Sequence, residues 1–301
     1  MIATLLGAYG TKPLPARHLT SCFVALADSD FCDILIDCGE GTQVAMGESS
    51  CSFSSLGTIL ITHLHGDHVF GLPGLLTSMS NLDRTEPLVI VGPVGTTKMI
   101  QSVRGMVGAL KFRVHCQELG ESVHHFRTQM CEVTAFKVSH SVPCYGYVLE
   151  TREISACNPD KATGFKVPTD LWSLLRSGYN IKSNGVEVNR SLVFDGQEVK
   201  KKLVYCTDTR PCESIGRNCA DADLAILEGM YAFESDRELA IANAHMMMGE
   251  AAEIAKKAGV KNLWLTHLTA KVVATDPATI AVPSEIYPGV VIGHGGLKMV
   301  L

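Results

Sequence analysis

The sequence has no uninterrupted apolar run near the roughly 20 residues a membrane-spanning helix requires, so a helical membrane protein is excluded. It also has no CxxC pair. Its 11 cysteines are odd in number and scattered, so no disulfide framework is legible. Small reduced thiols in a cytoplasmic protein are expected instead. The opening Met1–Gly7 carries no basic stretch and meets glycine early, so no secretory leader is expected. Positive charge is short as well: 26 Lys and Arg stand against 31 Asp and Glu, a formal −5. No global positive field therefore advertises a nucleic-acid partner. The 27 Gly and 12 Pro follow no collagen-like period, and no short repeat is present. What the chain does have is core material. With 301 residues, 46% hydrophobic and 19% charged, it can bury a sizeable interior in one large domain or two ordinary ones.

Apolar stretches of strand length recur, each bounded by turn residues. They fall at Asp33–Asp37, Thr58–Thr62, Leu88–Val91, Val133–Val138, Gly146–Glu150, Leu203–Cys206, Leu224–Leu227, Leu263–Thr266 and Val290–Ile292. Several are apolar on both faces, as strands covered by helices are. Helical spacing appears at Thr96–Gly108, Cys212–Ala220 and Met247–Ala258. Gly259 stops the last, and Lys256 and Lys257 suit the negative end of its dipole. Strands and helices alternate in both halves, so the expected fold class is layered α/β. Between residues 152 and 202 the chain turns polar and weakly periodic, punctuated by Gly178, Gly185 and Gly196. Nine basic residues there against six acidic ones give a local +3 and leave −8 for the remainder. That stretch reads as a solvated excursion.

The chemistry concentrates in Thr62-His63-Leu64-His65-Gly66-Asp67-His68. The strand ahead of it ends near Thr62, so His63 and His65 alternate to one side of an extended chain. Gly66 permits a tight turn, after which Asp67 and His68 can aim at a second point a few Å away. Imidazole and carboxylate are the zinc ligands of choice where thiolate is absent. Four ligands on one turn cannot complete two metal shells, so others must converge from elsewhere. His140, Asp208 and His267 each follow an expected strand end, where α/β folds build their sites. A carboxylate can serve two cations with its two oxygens, and Asp208 is the natural bridge.

With this ordered set of later candidates, THLHGDH resembles the metallo-β-lactamase superfamily, whose fold is a four-layered αββα sandwich. The flanking blocks resemble one branch of it, the RNase Z family of tRNA 3′-processing endoribonucleases. They are DCGEGTQ at Asp37–Gln43, GLPGLL at Gly71–Leu76 and HSVPCYGY at His140–Tyr147. TDTRP at Thr207–Pro211 and GVKNLWLTH at Gly259–His267 complete the set. The blocks are collinear from about residue 5 to 270, which implies one domain over 1–301 with an arm or excursion at about 152–202.

The resemblance implies two Zn2+ per subunit. His63, His65, His140 and Asp208 would hold one, and Asp67, His68, Asp208 and His267 the other. It implies metal-hydroxide attack on a phosphodiester of precursor tRNA, with Asp67 orienting the water or taking its proton. His245 paired with Glu228 would protonate the leaving 3′-oxygen, the carboxylate favouring the imidazolium form. A cytoplasmic homodimer without membrane attachment is implied too. The chain departs from the family where many members read HEAT and this one reads Leu227-Glu228-Gly229-Met230, keeping only the glutamate. The family arm's Gly-Pro signature is missing from 152–202. Pro13–Ser21 matches the family's substrate loop loosely, with Arg17 its candidate substrate contact. His18, His115, His124, His125 and His294 lack ligand spacing and read as structural or solvent-facing. Other hydrolases on the same site, a general phosphodiesterase or an arylsulfatase type, are the alternative. A catalytically silent RNA-binding subunit would show eroded ligands, and none is eroded.

Overall fold

The computed structural model describes residues 1–26, 31–121, 123–128, 130–154, 158–172, 175, 180–194, 198–275 and 282–301. The chain divides into two compact units, Met1–Leu149 with Lys202–Leu301, and Glu150–Lys201. In chain order the strands are β1 (Ile2–Gly7), β2 (Ser21–Ala25), β3 (Asp33–Ile36), β4 (Leu56–Leu60), β5 (Leu88–Pro93) and β6 (Val114–Leu119). Then come β7 (His124–Arg127), β8 (Glu132–Lys137), β9 (Tyr145–Ile154), β10 (Ile181–Ser183) and β11 (Val186–Val188). The last five are β12 (Glu198–Cys206), β13 (Leu224–Glu228), β14 (Leu263–Thr266), β15 (Val291–Ile292) and β16 (Leu297–Val300).

Among the described residues they build two seven-stranded sheets, ordered β16-β1-β2-β3-β4-β5-β6 and β15-β14-β13-β12-β9-β8-β7. Strands β3 to β6 pair in parallel, and so do β12 to β15. Side-chain alternation explains how these sheets stack. Ile34, Ile36, Leu203, Tyr205 and Ile226 share one core with Ala3, Leu5, Tyr145 and Tyr147, drawn from both sheets. Their neighbours Leu35, Ile59 and Ile90 face the other way, onto the helices Thr42–Glu48, Leu72–Asn81 and Thr96–Val107. Val204, Cys206, Leu227 and Leu265 likewise pack on the helices Glu213–Cys219 and Met248–Lys257. Helix, sheet, sheet, helix is the αββα sandwich the motif resemblance implied.

The expected strands and helices all form, shifted by a few residues at their ends. Every described cysteine is a free thiol, and Cys157 lies outside the described residues. No helix among the described residues is long and apolar enough to cross a membrane. The Glu150–Lys201 unit carries a small core of its own, Ala162, Val167, Leu175, Val188, Val193 and Phe194. Within it, Asn158 caps the helix Pro159–Gly164 by accepting from the N–H groups of Asp160 and Lys161. Strands β10 and β11 form a hairpin turned at Asn184 and Gly185, both at positive φ. The stretch read as a solvated excursion is thus folded beneath its polar surface. Arg176, Gly178, Asp195 and Gly196 lie outside the described residues.

Candidate metal centre

Parallel strands end together at one edge of a sheet, and the loops beyond those ends supply the site. His63 and His65 follow β4, and Asp67 and His68 lie on the short helix Gly66–Val69 that comes next. His140 follows β8, Asp208 follows β12 and His267 follows β14, while Glu228 is the last residue of β13. Asp208 and His267 take left-handed backbone at φ 46° and 57°, and Asp37, just past β3, does the same at 59°. That turn at a strand end aims a side chain into the edge and costs a non-glycine residue roughly 1–2 kcal/mol.

Seven side chains form two adjoining nests. In the first, His63 Nε2 lies 3.0 Å from His65 Nδ1, which lies 3.4 Å from His140 Nε2. Asp208 Oδ2 closes it at 3.5 Å from His63 Nε2 and 3.8 Å from His140 Nε2. In the second, His68 Nε2 and His267 Nε2 are 3.3 Å apart, with Asp67 Oδ2 at 3.7 and 3.4 Å from them. Asp208 Oδ1 lies 3.3 Å from His68 Nε2 and 3.2 Å from His267 Nε2. One carboxylate therefore turns a different oxygen to each nest. Ligand atoms 2.0–2.1 Å from a tetrahedral zinc stand about 3.3 Å apart, and the measured edges bracket that value. Each nest could hold a metal ion: His63, His65, His140 and Asp208 in one, Asp67, His68 and His267 with Asp208 in the other. The donor set fits the implied zinc.

The outer contacts orient the donors. Asp37 is fully buried, takes two bonds from Thr62 at its backbone and hydroxyl, and lies 2.8 Å from His68 Nδ1. His140 Nδ1 donates to the Ala244 carbonyl at 3.1 Å. His267 Nδ1 is buried without a hydrogen-bond partner among the described residues. Packing holds that ring instead, since a Cβ on Gly10 would stand 2.6 Å from His267 Cε1. The next residue, Thr11, donates its backbone N–H to Asp67 Oδ2 at 2.8 Å.

Charge states follow from burial and neighbours. Burial drives His63 well below its ordinary pKa, and His68 beside it adds to the effect. Burial also lowers His140. It opposes charge on His68, but Asp208 and Asp37 outweigh it and hold His68 well above its ordinary value. Asp208 resists burial through His267, His68 and His63 and stays well below the usual carboxylate range. Asp67 is lowered too: burial opposes it, but the bond and charge of His267 and the charge of His68 prevail. His245 Nδ1 lies 3.0 Å from Glu228 Oε2, and its ring stacks on His267 with centroids 5.3 Å apart. Burial and the Asp208 charge push Glu228 well up, while burial lowers His245. Burial thus disfavours the charged form of each partner, while the 3.0 Å contact keeps the imidazole oriented by the carboxyl group.

Arg17 stands apart from this cluster. Its Nη1 donates to the Tyr9 hydroxyl at 3.0 Å and its guanidinium lies 5.3 Å over the Tyr9 ring. Four of the five histidines read as structural have hydrogen-bond partners outside the nests: His18 with Glu48, His124 with the Gly120 N–H, His125 with Thr134 and His294 with the Gly295 carbonyl. Sequence reasoning missed the contacts of Asp37, Gly10 and Thr11. Asp37 opens the DCGEGTQ block, which marked its place without showing its contact to His68.

Two family models match parts of the chain, "Anti-Pycsar protein Apyc1" over residues 20–157 and "Beta-lactamase superfamily domain" over 174–268. A ribonuclease Z of Lachnoclostridium phytofermentans is 42% identical over 263 residues, 87% of this chain and 86% of its own. A ribonuclease Z of Agathobacter rectalis is 41% identical over 272 residues, 90% and 89% of the two chains. Among solved structures, the short form of human tRNase Z aligns with a TM-score of 0.70 at 22% identity, covering 100% of this chain and 99% of its own. At that identity the likeness speaks for the fold alone.

Proposed function

The chain belongs to the ribonuclease Z family, and from that premise we propose that it is a zinc-dependent endoribonuclease removing the 3′ trailer of precursor tRNA. The observation that carries this reading is the division of Asp208 between two nests of buried imidazoles. His63, His65, His140 and Asp208 would hold one Zn2+, and Asp67, His68, Asp208 and His267 the other. When bound, the two ions supply Lewis acidity towards phosphoryl oxygens and make a water more acidic, towards neutrality.

The chain's own groups do the rest. His63 and His140, lowered by burial, are neutral at physiological pH, the form in which imidazole ligates. Asp67 is ionised, so it can orient an attacking water and accept its proton, and the Thr11 N–H steadies the carboxylate. His245, held at Nδ1 by Glu228, keeps Nε2 for substrate and delivers its proton to the departing 3′-oxygen. The products are a tRNA ending in a 3′-hydroxyl and a trailer beginning with a 5′-phosphate.

For RNA grip we assign the Glu150–Lys201 unit, where Lys161, Lys166 and Lys182 are exposed, with Arg17 as a second contact. A cytoplasmic homodimer completes the reading, as the family resemblance implies. A general phosphodiesterase would use the same nests and differ in grip alone. Incubation with a 3′-extended precursor tRNA and, separately, bis(p-nitrophenyl) phosphate decides between them, each with and without chelator. Chelator-sensitive cleavage of the tRNA is expected. Ester hydrolysis with the tRNA left intact would overturn the proposal in favour of the phosphodiesterase.

A further inference from the structure

Arg210, two residues beyond Asp208, commits its guanidinium to protein acceptors. Nη1 donates to the His245 carbonyl and to Glu250 Oε2 at 2.9 Å, and Nη2 donates to Glu250 Oε1 at 2.7 Å. Three of the five N–H donors of an arginine are spent this way, in a forked geometry that lysine cannot copy. Glu250 accepts from the Met247 N–H at 2.9 Å, capping the helix Met248–Lys257, and from Arg237 Nη1 at 3.2 Å. The Arg210 backbone is tied down as well, donating to the Ser139 carbonyl at 2.8 Å.

His245 sits where these ties matter. The residue before it, Ala244, is held at φ 58°, and its carbonyl accepts from His140 Nδ1 at 3.1 Å. The segment 244–247 is thus anchored at Ala244 by His140, at His245 by Arg210 and at Met247 by Glu250. Removing the guanidinium leaves the His245 carbonyl without its donor and takes two of Glu250's four bonds, leaving those from Met247 and Arg237. The segment then relaxes, and the imidazole relaxes with it.

An arginine beside a phosphodiester-cleaving centre invites the assumption that it grips phosphate. We propose instead that Arg210 is a positioning residue: through the His245 carbonyl and Glu250 it sets the imidazole of His245 against the leaving oxygen. This rests on the reading of His245 as proton donor. A ribose 3′-oxygen departs badly without a proton, whereas p-nitrophenolate departs unaided. Misplacing the donor therefore slows RNA cleavage and spares the activated ester.

Metal-loaded Arg210→Met, Arg210→Lys and His245→Ala test this on precursor tRNA and bis(p-nitrophenyl) phosphate, with metal content measured for each. For Arg210→Met, kcat on RNA is expected to fall roughly 10- to 100-fold, as for a displacement of about 1 Å. KM and ester hydrolysis should stay within about threefold and metal content should hold. Arg210→Lys, able to reach one acceptor, should recover part of the loss, and it alone carries the comparison if the methionine variant does not fold. A raised KM with kcat intact would overturn the inference in favour of phosphate binding. Equal losses on both substrates, or lost metal, would reduce Arg210 to a structural role. If His245→Ala slows both substrates alike, the proton-donor reading fails and the inference falls with it. If His245→Ala separates the substrates and the Arg210 variants do not, the inference alone falls.

Discussion

Asp208 is 2% exposed, is turned inward on left-handed backbone at φ 46°, and lies within 3.8 Å of four imidazole nitrogens. A carboxylate buried among so many imidazoles keeps its charge only because of them, and they keep their orientation partly because of it. Asp208→Ala removes an oxygen from each nest at once. Bound zinc is expected to fall from about two ions per chain to below one, as read by metal analysis after dialysis. Full zinc content in that variant would contradict the bridging role. Asp208 was legible in the sequence because it follows an apolar strand in TDTRP. The link between Asp37 and His68 was not, since the two are 31 residues apart and meet only once β3 and β4 pair. Arg210 was visible as a letter of the same TDTRP block, yet nothing local tells that its guanidinium reaches the His245 carbonyl.

Elements whose apolar residues contact one another locally could be read from sequence, and those defined by distant partners could not. Leu203–Cys206 of β12, β13 and β14 are buried, mainly apolar runs, and their pattern needs no partner to be seen. β1 pairs with β16 through Ile2 and Val300, at opposite ends of the chain, and β16 alternates half-buried with exposed residues. β7, His124–Arg127, is equally half-exposed and reads as loop until β8 lies beside it. The loop from β1 to β2 is the consequential case. It puts Gly10 against the His267 ring and the Thr11 N–H on Asp67, so a segment with no candidate metal ligand braces one nest. Gly10→Ala would drive a methyl into that ring. Zinc affinity of the nest built on Asp67, His68 and His267 is expected to fall by roughly 10- to 100-fold, with the other nest little changed. A competition titration that finds two unaltered affinities would contradict the bracing.

For the whole molecule, the formal charge of −5 argued against an RNA partner, and the fold alters what that number means. It counts Asp67, Asp208 and Glu228 as free negative charges, although they are gathered at a centre that two zinc ions, worth +4, would neutralise. It also averages over the Glu150–Lys201 unit, whose local excess is positive. RNA affinity in this chain is therefore a property of regions and not of the total. What the whole assembly must deliver is one cut, made by water, at one place. End analysis of the products from a single 3′-extended precursor tRNA tests that claim most directly. One chelator-sensitive cut just after the discriminator base is expected, leaving a 3′-hydroxyl on the tRNA and a 5′-phosphate on the trailer. Scattered cuts, or ends bearing a 2′,3′-cyclic phosphate from attack by the RNA's own 2′-hydroxyl, would contradict it.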